Sequence, residues 1–147
     1  MYKLLIYVMF LHFVADFLLQ SREMGQKKSV EFKWLAKHLS IQYLVMYFGL
    51  VLFIGPVAAC KLSLLNTLVH GLIDWNIWKL YKLSAHFRIM REIETLEIDD
   101  EHDAIRKEAY NNKVNNWKYW DDHLFYTTIG FDQFLHMTTL AVLLWKL

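Results

Sequence analysis

The chain has 147 residues, of which 56% are hydrophobic and 16% aromatic, and a formal net charge of +1. That length gives one domain rather than two, and the apolar share exceeds that of an ordinary soluble domain. Near-neutrality excludes a general pull toward nucleic acid, and the single cysteine, Cys60, excludes an internal disulfide and a site built from several thiolates.

Four apolar runs organise the chain. Leu4–Leu19 carries one formal charge, Asp16, and predicts a first helix over about 2–21. Lys3 alone is a poor positive n-region and "LLQSREMG" offers no small-residue cleavage site, so this run reads as a retained helix rather than a signal peptide. After the polar loop "SREMGQKKSVEFKW", the uncharged run Leu39–Ala59 predicts a second helix over about 35–59, with a kink or an end near Gly55-Pro56. "ACKLS" reads as a short connection, which makes helices two and three an antiparallel hairpin. Leu62–Trp78, charged only at Asp74, predicts a third helix over about 62–82. Residues 83–122 are polar; "HFRIMREIETL" and "DEHDAIRKEAYNNKV" predict one or two surface helices there. Leu124–Trp145, charged only at Asp132, predicts a fourth helix over about 123–146. The expected fold is an all-α, integral membrane four-helix bundle, a single transmembrane domain over 1–147. Residues 83–122 form a polar helical insertion between helices three and four.

Orientation follows from the basic residues. Thirteen lie on one side of the expected bundle: Arg22, Lys27, Lys28, Lys33 and Lys37 after helix one, and eight between Lys79 and Lys118. Only Lys3, Lys61 and Lys146 lie on the other. Both termini are therefore expected outside the cytoplasm and both polar segments inside it. Trp34, Trp75, Trp78, Trp117 and Trp120 then fall at the cytoplasmic interface, where aromatic belts sit. Acidic residues outnumber basic ones within 79–122, ten to eight, so this segment is not an obvious nucleic-acid or anionic-lipid patch. The acidic run "EIDDEHD" lacks the spacing and glycine of an EF-hand and reads as a solvated face.

A charge at bilayer depth is expensive, so ionisable residues there face the bundle interior and find partners. Three runs each hold a carboxylate and an imidazole four residues apart: His12 with Asp16, His70 with Asp74, and Asp132 with His136. Positions i and i+4 share a helical face. Gln20 continues the first stripe, Asn66 precedes His70 by four, Gln133 adjoins Asp132, and His38 marks the start of helix two. At 1.5 Å per residue Asp16 lies about 9 Å from Arg22, Asp74 about 8 Å from Lys79, and Asp132 about 15 Å from Asp122. Helices running in opposite directions thus bring their polar groups to one depth. Carboxylates gathered in low dielectric need something positive among them. With no Lys or Arg in these runs, the candidates are protons, imidazolium or a metal ion such as Zn²⁺, Mn²⁺ or Fe²⁺, for which His and Asp are ligands. His86, His102 and His123 lie outside the runs and read as surface or interface groups.

"HFVADFLLQS", "KHLSIQ", "LVHGLIDW" and "IGFDQFLHM", in that order, resemble the small membrane proteins of bacteria and their phages catalogued as domain of unknown function 3307. The resemblance covers nearly the whole chain and is weakest across 83–118. It places the family's polar positions on His12, Asp16, Gln20, His70, Asp74, Asp132, Gln133 and His136, with His38 in a similar place, and implies a bacterial inner membrane. More distantly, the layout resembles membrane-bound metal-dependent hydrolases.

The expected site has His12, Asp16, His38, His70, Asp74, Asp132 and His136 as metal ligands, with Asp16, Asp74 and Asp132 as candidate catalytic groups. Gln20, Asn66 and Gln133 would orient ligands or substrate. A divalent cation would supply a nucleophile by lowering the pKa of water, for hydrolysis of a lipid or other amphiphile near the cytoplasmic leaflet. Two other readings stay open. One is a proton or cation channel or transporter, against which the apolar outer halves of the helices count. The other is a non-enzymatic module acting on a host or defence protein through 83–122. The expected partners are the bilayer, an amphiphilic substrate and a second copy of the chain, with no nucleic acid.

Overall fold

Apolar runs make the helices of this chain, but glycine and proline set where they break. The computed structural model describes residues 2–94, 103–116 and 121–146, and every regular element among them is helical. The order is α1 (Tyr2–Phe13), a π-helical turn (Val14–Leu18), α2 (Arg22–Lys27), α3 (Phe32–Ile54), α4 (Pro56–Glu94), α5 (Asp103–Asn115) and α6 (His123–Trp145).

The first expected helix stops being α-helical at Phe13. Its end is widened into the π turn, closed by the Leu19 N–H donating to the Val14 carbonyl five residues back, at 3.0 Å. Helices two and three also part from expectation. α3 ends at Ile54 because Gly55 takes φ 79°, a left-handed conformation that glycine adopts without a Cβ penalty. Pro56 then opens α4, where its missing N–H costs nothing. "ACKLS" contains no breaker and continues α4 as helix. The hairpin turn is therefore Gly55-Pro56, four residues before the expected end at Ala59. At its other end α4 runs on through "HFRIMREIE" to Glu94, so part of the expected insertion is an extension of helix three, and only α5 is separate. His102, Trp117, Trp120 and most of the acidic run lie outside the described residues.

α1, α3, α4 and α6 pack as a closed ring: α3 on α4, α4 on α6, and α1 on both α3 and α6. Their inward residues recur every four positions and change chemistry along the axis. On α3 the buried series is Leu50, Met46, Gln42, His38; on α6 it is Leu144, Leu140, His136, Asp132. Val8 and Leu11 of α1 and Ala59 and Leu62 of α4 complete an apolar layer at the end near both termini. His12, Asp16, His70 and Asp74 complete a polar layer at the other. Large apolar side chains lie on the outer surface, among them Phe10, Phe48, Leu52, Phe53, Leu68 and Phe134, Leu52 to 91% exposed. α3 and the Pro56–Ile93 stretch of α4 are long and apolar enough to cross a membrane.

The α4 extension is tied to α6 by one carboxylate. Asp122 caps α6 by accepting the Leu124 N–H at 3.0 Å, takes both Arg88 guanidinium nitrogens at 3.0 and 2.7 Å, and accepts the Tyr81 hydroxyl at 2.8 Å. Arg88, aided by Tyr81 and the Leu124 N–H, overcomes the cost of burial and holds this carboxyl down to about 2 from 3.8. Because the folded value is the lower one, the stability that Asp122 adds is complete above pH 4 and lost as pH falls toward 2. Melting curves across that window should show an acid-dependent loss that Asp122→Asn abolishes, and at neutral pH Asp122→Ala should cost about 1 kcal/mol or more, the usual worth of a helix cap.

Candidate metal centre

The polar layer holds four side chains at contact distances around one point. His38 Nε2 lies 3.1 Å from Asp16 Oδ1, 3.3 Å from Asp74 Oδ2 and 2.8 Å from His70 Nε2. His70 Nε2 lies 3.1 Å from Asp74 Oδ2 and 3.8 Å from Asp16 Oδ1. A tetrahedral cation with bonds of about 2.0–2.1 Å has ligand–ligand edges of about 3.3 Å. The five separations bracket that edge. All four side chains are at most 4% exposed.

A second set adjoins the first. His136 Nε2 lies 3.5 Å from Asp132 Oδ1 and 3.7 Å from Asp74 Oδ1. Asp74 therefore faces the first set with Oδ2 and the second with Oδ1. His12 stands beside both, its ring centroid 5.2 Å from that of His70 and 5.0 Å from that of His136. The Nε2 atoms of His12 and His136 and Oδ1 of Asp132 are buried and have no hydrogen bond. Three groupings in this layer have ligand atoms close enough to share an ion: Asp16, His38, His70 and Asp74; Asp74, Asp132 and His136; and His12, His70 and His136. All seven expected ligands thus converge.

The π turn has a part in this convergence. It places Asp16 with Oδ1 toward His38 and Oδ2 within 3.0 Å of the Gln133 amide, and 3.8 Å from His12 Nε2. π turns of this kind recur at functional sites.

The supporting residues divide. Gln133 bridges Asp16 and Asp132, donating at 3.0 and 3.3 Å. Gln20 lines the cavity outside the layer. Asn66 is buried on α4 one turn toward the apolar end and makes no hydrogen bond to the ligand set. His86 is exposed and bonds the Tyr110 hydroxyl of α5 at 2.6 Å, and His123 is exposed at the start of α6.

Two residues come to the site without having been singled out. Gln42 lies 3.0 Å from His12 Nδ1. The contact is made by the Gln42 amide nitrogen, which donates to Nδ1, so the proton of a neutral His12 sits on Nε2, toward the ligand set. Lys28 enters from the α2–α3 loop, only 4% exposed, with its ammonium 2.9 Å from Asp74 Oδ1 and 3.4 Å from Asp16 Oδ1. Burial disfavours that charge, but Asp74 and Asp16 outweigh it and hold the lysine pKa above its ordinary value. No lysine or arginine lies within the apolar runs, and it is the fold that brings the Lys28 ammonium to the site from a loop. Three carboxylates against one ammonium leave two negative charges if all are ionised, the complement of one divalent cation.

Beyond Phe13 the backbone parts from its neighbours. The π turn and α2 pack on α3 but make no close backbone approach to α4 or α6 among the described residues. The gap is a cavity of about 600 Å³ whose walls include Asp16, Lys28, Asp132 and Gln133. A second groove, of about 610 Å³, runs along Leu80–Arg91 on the α4 extension and touches none of the ligand set.

The family model described as "Protein of unknown function (DUF3307)" matches residues 4–147. No curated protein and no solved structure matches the chain, so the likeness to metal-dependent hydrolases is not among these findings.

Proposed function

This chain belongs to the DUF3307 family, and we propose that it is an integral membrane protein whose divalent-cation centre hydrolyses an amphiphile at the cytoplasmic leaflet. The observation that carries this reading is the quartet Asp16, His38, His70 and Asp74, whose separations of 2.8–3.8 Å fit the edges of a tetrahedral site. Four protein ligands close that position. The neighbouring position, with Asp74, Asp132 and His136, has three and leaves room for a fourth partner, which is how catalytic centres differ from structural ones. A cation there would lower the pKa of water into the working range. Asp132, on the cavity wall, would bind that cation through one carboxylate oxygen and take the water's proton with the other. Lys28 supports negative charge next to it.

The membrane reading rests on the exposed apolar surface, the buried polar layer and the one-sided distribution of lysine and arginine. Lys37 lies 5.4 Å from the Trp34 ring and Lys79 3.5 Å from the Trp75 ring, tryptophan–lysine pairs that suit a headgroup interface. Both termini are then outside. Elemental analysis of protein purified without added metal should give zinc, manganese or iron in stoichiometric amount, and a chelator that removes it should abolish hydrolysis. Metal-free wild type after growth in metal-replete medium would sink the proposal.

A cation path is the second reading. Ser63, Asn66 and Thr67 continue the polar stripe of α4 toward the apolar end, buried and each with an unpartnered side-chain atom. Against it stands the apolar layer of Val8, Met46, Leu50, Leu62, Leu140 and Leu144, which closes that end. Proteoliposomes should show no proton or cation flux at any pH; flux abolished by Asp74→Asn would favour the path instead.

A further inference from the structure

The cavity beside the ligand set says more about what enters it. It lies between the π turn and α2 on one side and α4 and α6 on the other. Side chains alone bridge it: Gln133 to Asp16, Lys28 to Asp74, and Lys82 to Ser29 at 3.1 Å. Its walls are of two kinds. Phe17, Trp78, Tyr81, Phe125 and Ile129 make an apolar and aromatic face. Arg22, Lys28 and Lys82 bring three cations to the same space. Lys28 is matched by carboxylates. Lys82 is half-buried, and its described partner is the neutral Ser29 hydroxyl; Arg22 is paired with no carboxylate among the described residues. Two cations at a cavity wall with no carboxylate partner among the described residues are what an anionic ligand needs. Phe17 lines the cavity and is 49% exposed, so the apolar wall of the cavity is continuous with the outer surface at this residue.

We infer that this cavity takes the phosphate headgroup of an amphiphile, held by Arg22 and Lys82 in front of the ligand set, while its hydrocarbon tail leaves sideways between the π turn and α6. The inference rests on the membrane metal-centre reading and names the class of molecule that reading leaves open. A volume of about 600 Å³ suits a headgroup and the first part of a chain. Arginine and lysine recognise phosphate by charge-assisted hydrogen bonds, which a zwitterionic choline headgroup weakens by bringing its own cation.

Immobilised protein in detergent, its metal content measured in parallel, should retain phosphatidic acid about tenfold better than phosphatidylcholine, the scale of one or two charge-assisted bonds. The double variant Arg22→Gln/Lys82→Met should lose that preference and keep its metal. Inorganic phosphate should displace phosphatidic acid only at far higher concentration, because it lacks the tail. Equal retention of the two lipids by metal-loaded wild type would overturn this inference and leave the metal centre standing. So would an unchanged preference in the double variant. Displacement by inorganic phosphate at the same concentration as lipid would overturn the amphiphile and assign the cavity to free phosphate. Metal-free wild type that still selects phosphatidic acid would sink the metal centre alone.

Discussion

His70→Ala should weaken metal binding by at least about 100-fold. Structural zinc sites are worth about 10–16 kcal/mol over four ligands, so one ligand carries about 3 kcal/mol, and each 1.4 kcal/mol is tenfold. His70 is the residue to remove because its Nε2 sits within 2.8–3.8 Å of the other three ligand atoms. Its ring also stacks on His136, with centroids 4.0 Å apart, so one substitution touches both ligand sets. A competition titration against a chelating dye would measure the loss. The cavity left behind will lower stability by itself, so His70→Gln, which fills most of the volume and keeps a weaker donor, is the companion variant. Both should elute from size exclusion as the wild type does, and hydrolysis should fall with metal occupancy. Wild-type affinity in both variants would remove His70 from the centre and, with it, the four-ligand geometry.

The site was more legible in the sequence than the helices that hold it. His12, Asp16, His70, Asp74, Asp132 and His136 each announce themselves as a polar residue where lipid-facing ones are expected, and their common spacing ties them into pairs. The same spacing relates His38 to Gln42, so α3, α4, α6 and α1 with its π turn each contribute a polar pair, and Gln42 stands four residues from a histidine as the other members do. Lys28 was not findable that way. It sits in a loop with Lys27 beside it, and only the fold decides that Lys28 turns inward while Lys27 turns out to pair with Glu23 at 2.8 Å. Helix ends were misplaced for a related reason. Hydropathy reports where a residue lies, not whether its backbone stays helical. α4 crosses from apolar to charged sequence near Lys79 without a glycine or proline to stop it, and so continues to Glu94. Gly55-Pro56 stops α3 in the middle of an apolar run, because the backbone there changes although the surroundings do not.

Lys28→Met should convert the protein into one whose stability depends on metal. The Lys28 ammonium is the only lysine or arginine group described in contact with Asp16 and Asp74. Removing one member of a buried charge pair costs about 3–5 kcal/mol, because the partner is left uncompensated in low dielectric. Methionine keeps the length and loses the charge, so the cost is electrostatic rather than a packing defect. In excess chelator the variant should therefore melt well below the wild type. Metal reverses the order of effects. A cation at one hundred times its dissociation constant stabilises either protein by about 2.7 kcal/mol, and more where affinity is higher. The variant should bind more tightly, since no ammonium competes for Asp16 Oδ1 and Asp74 Oδ1 and the site carries one more negative charge. The gain in melting temperature on adding metal should then be larger for Lys28→Met than for the wild type. Equal melting in chelator would mean that Lys28 does not balance the carboxylates. Equal gains with metal would mean that ammonium and cation do not meet at the same oxygens. If both expectations hold, Lys28 is what lets three carboxylates share the centre of the bundle before a metal arrives.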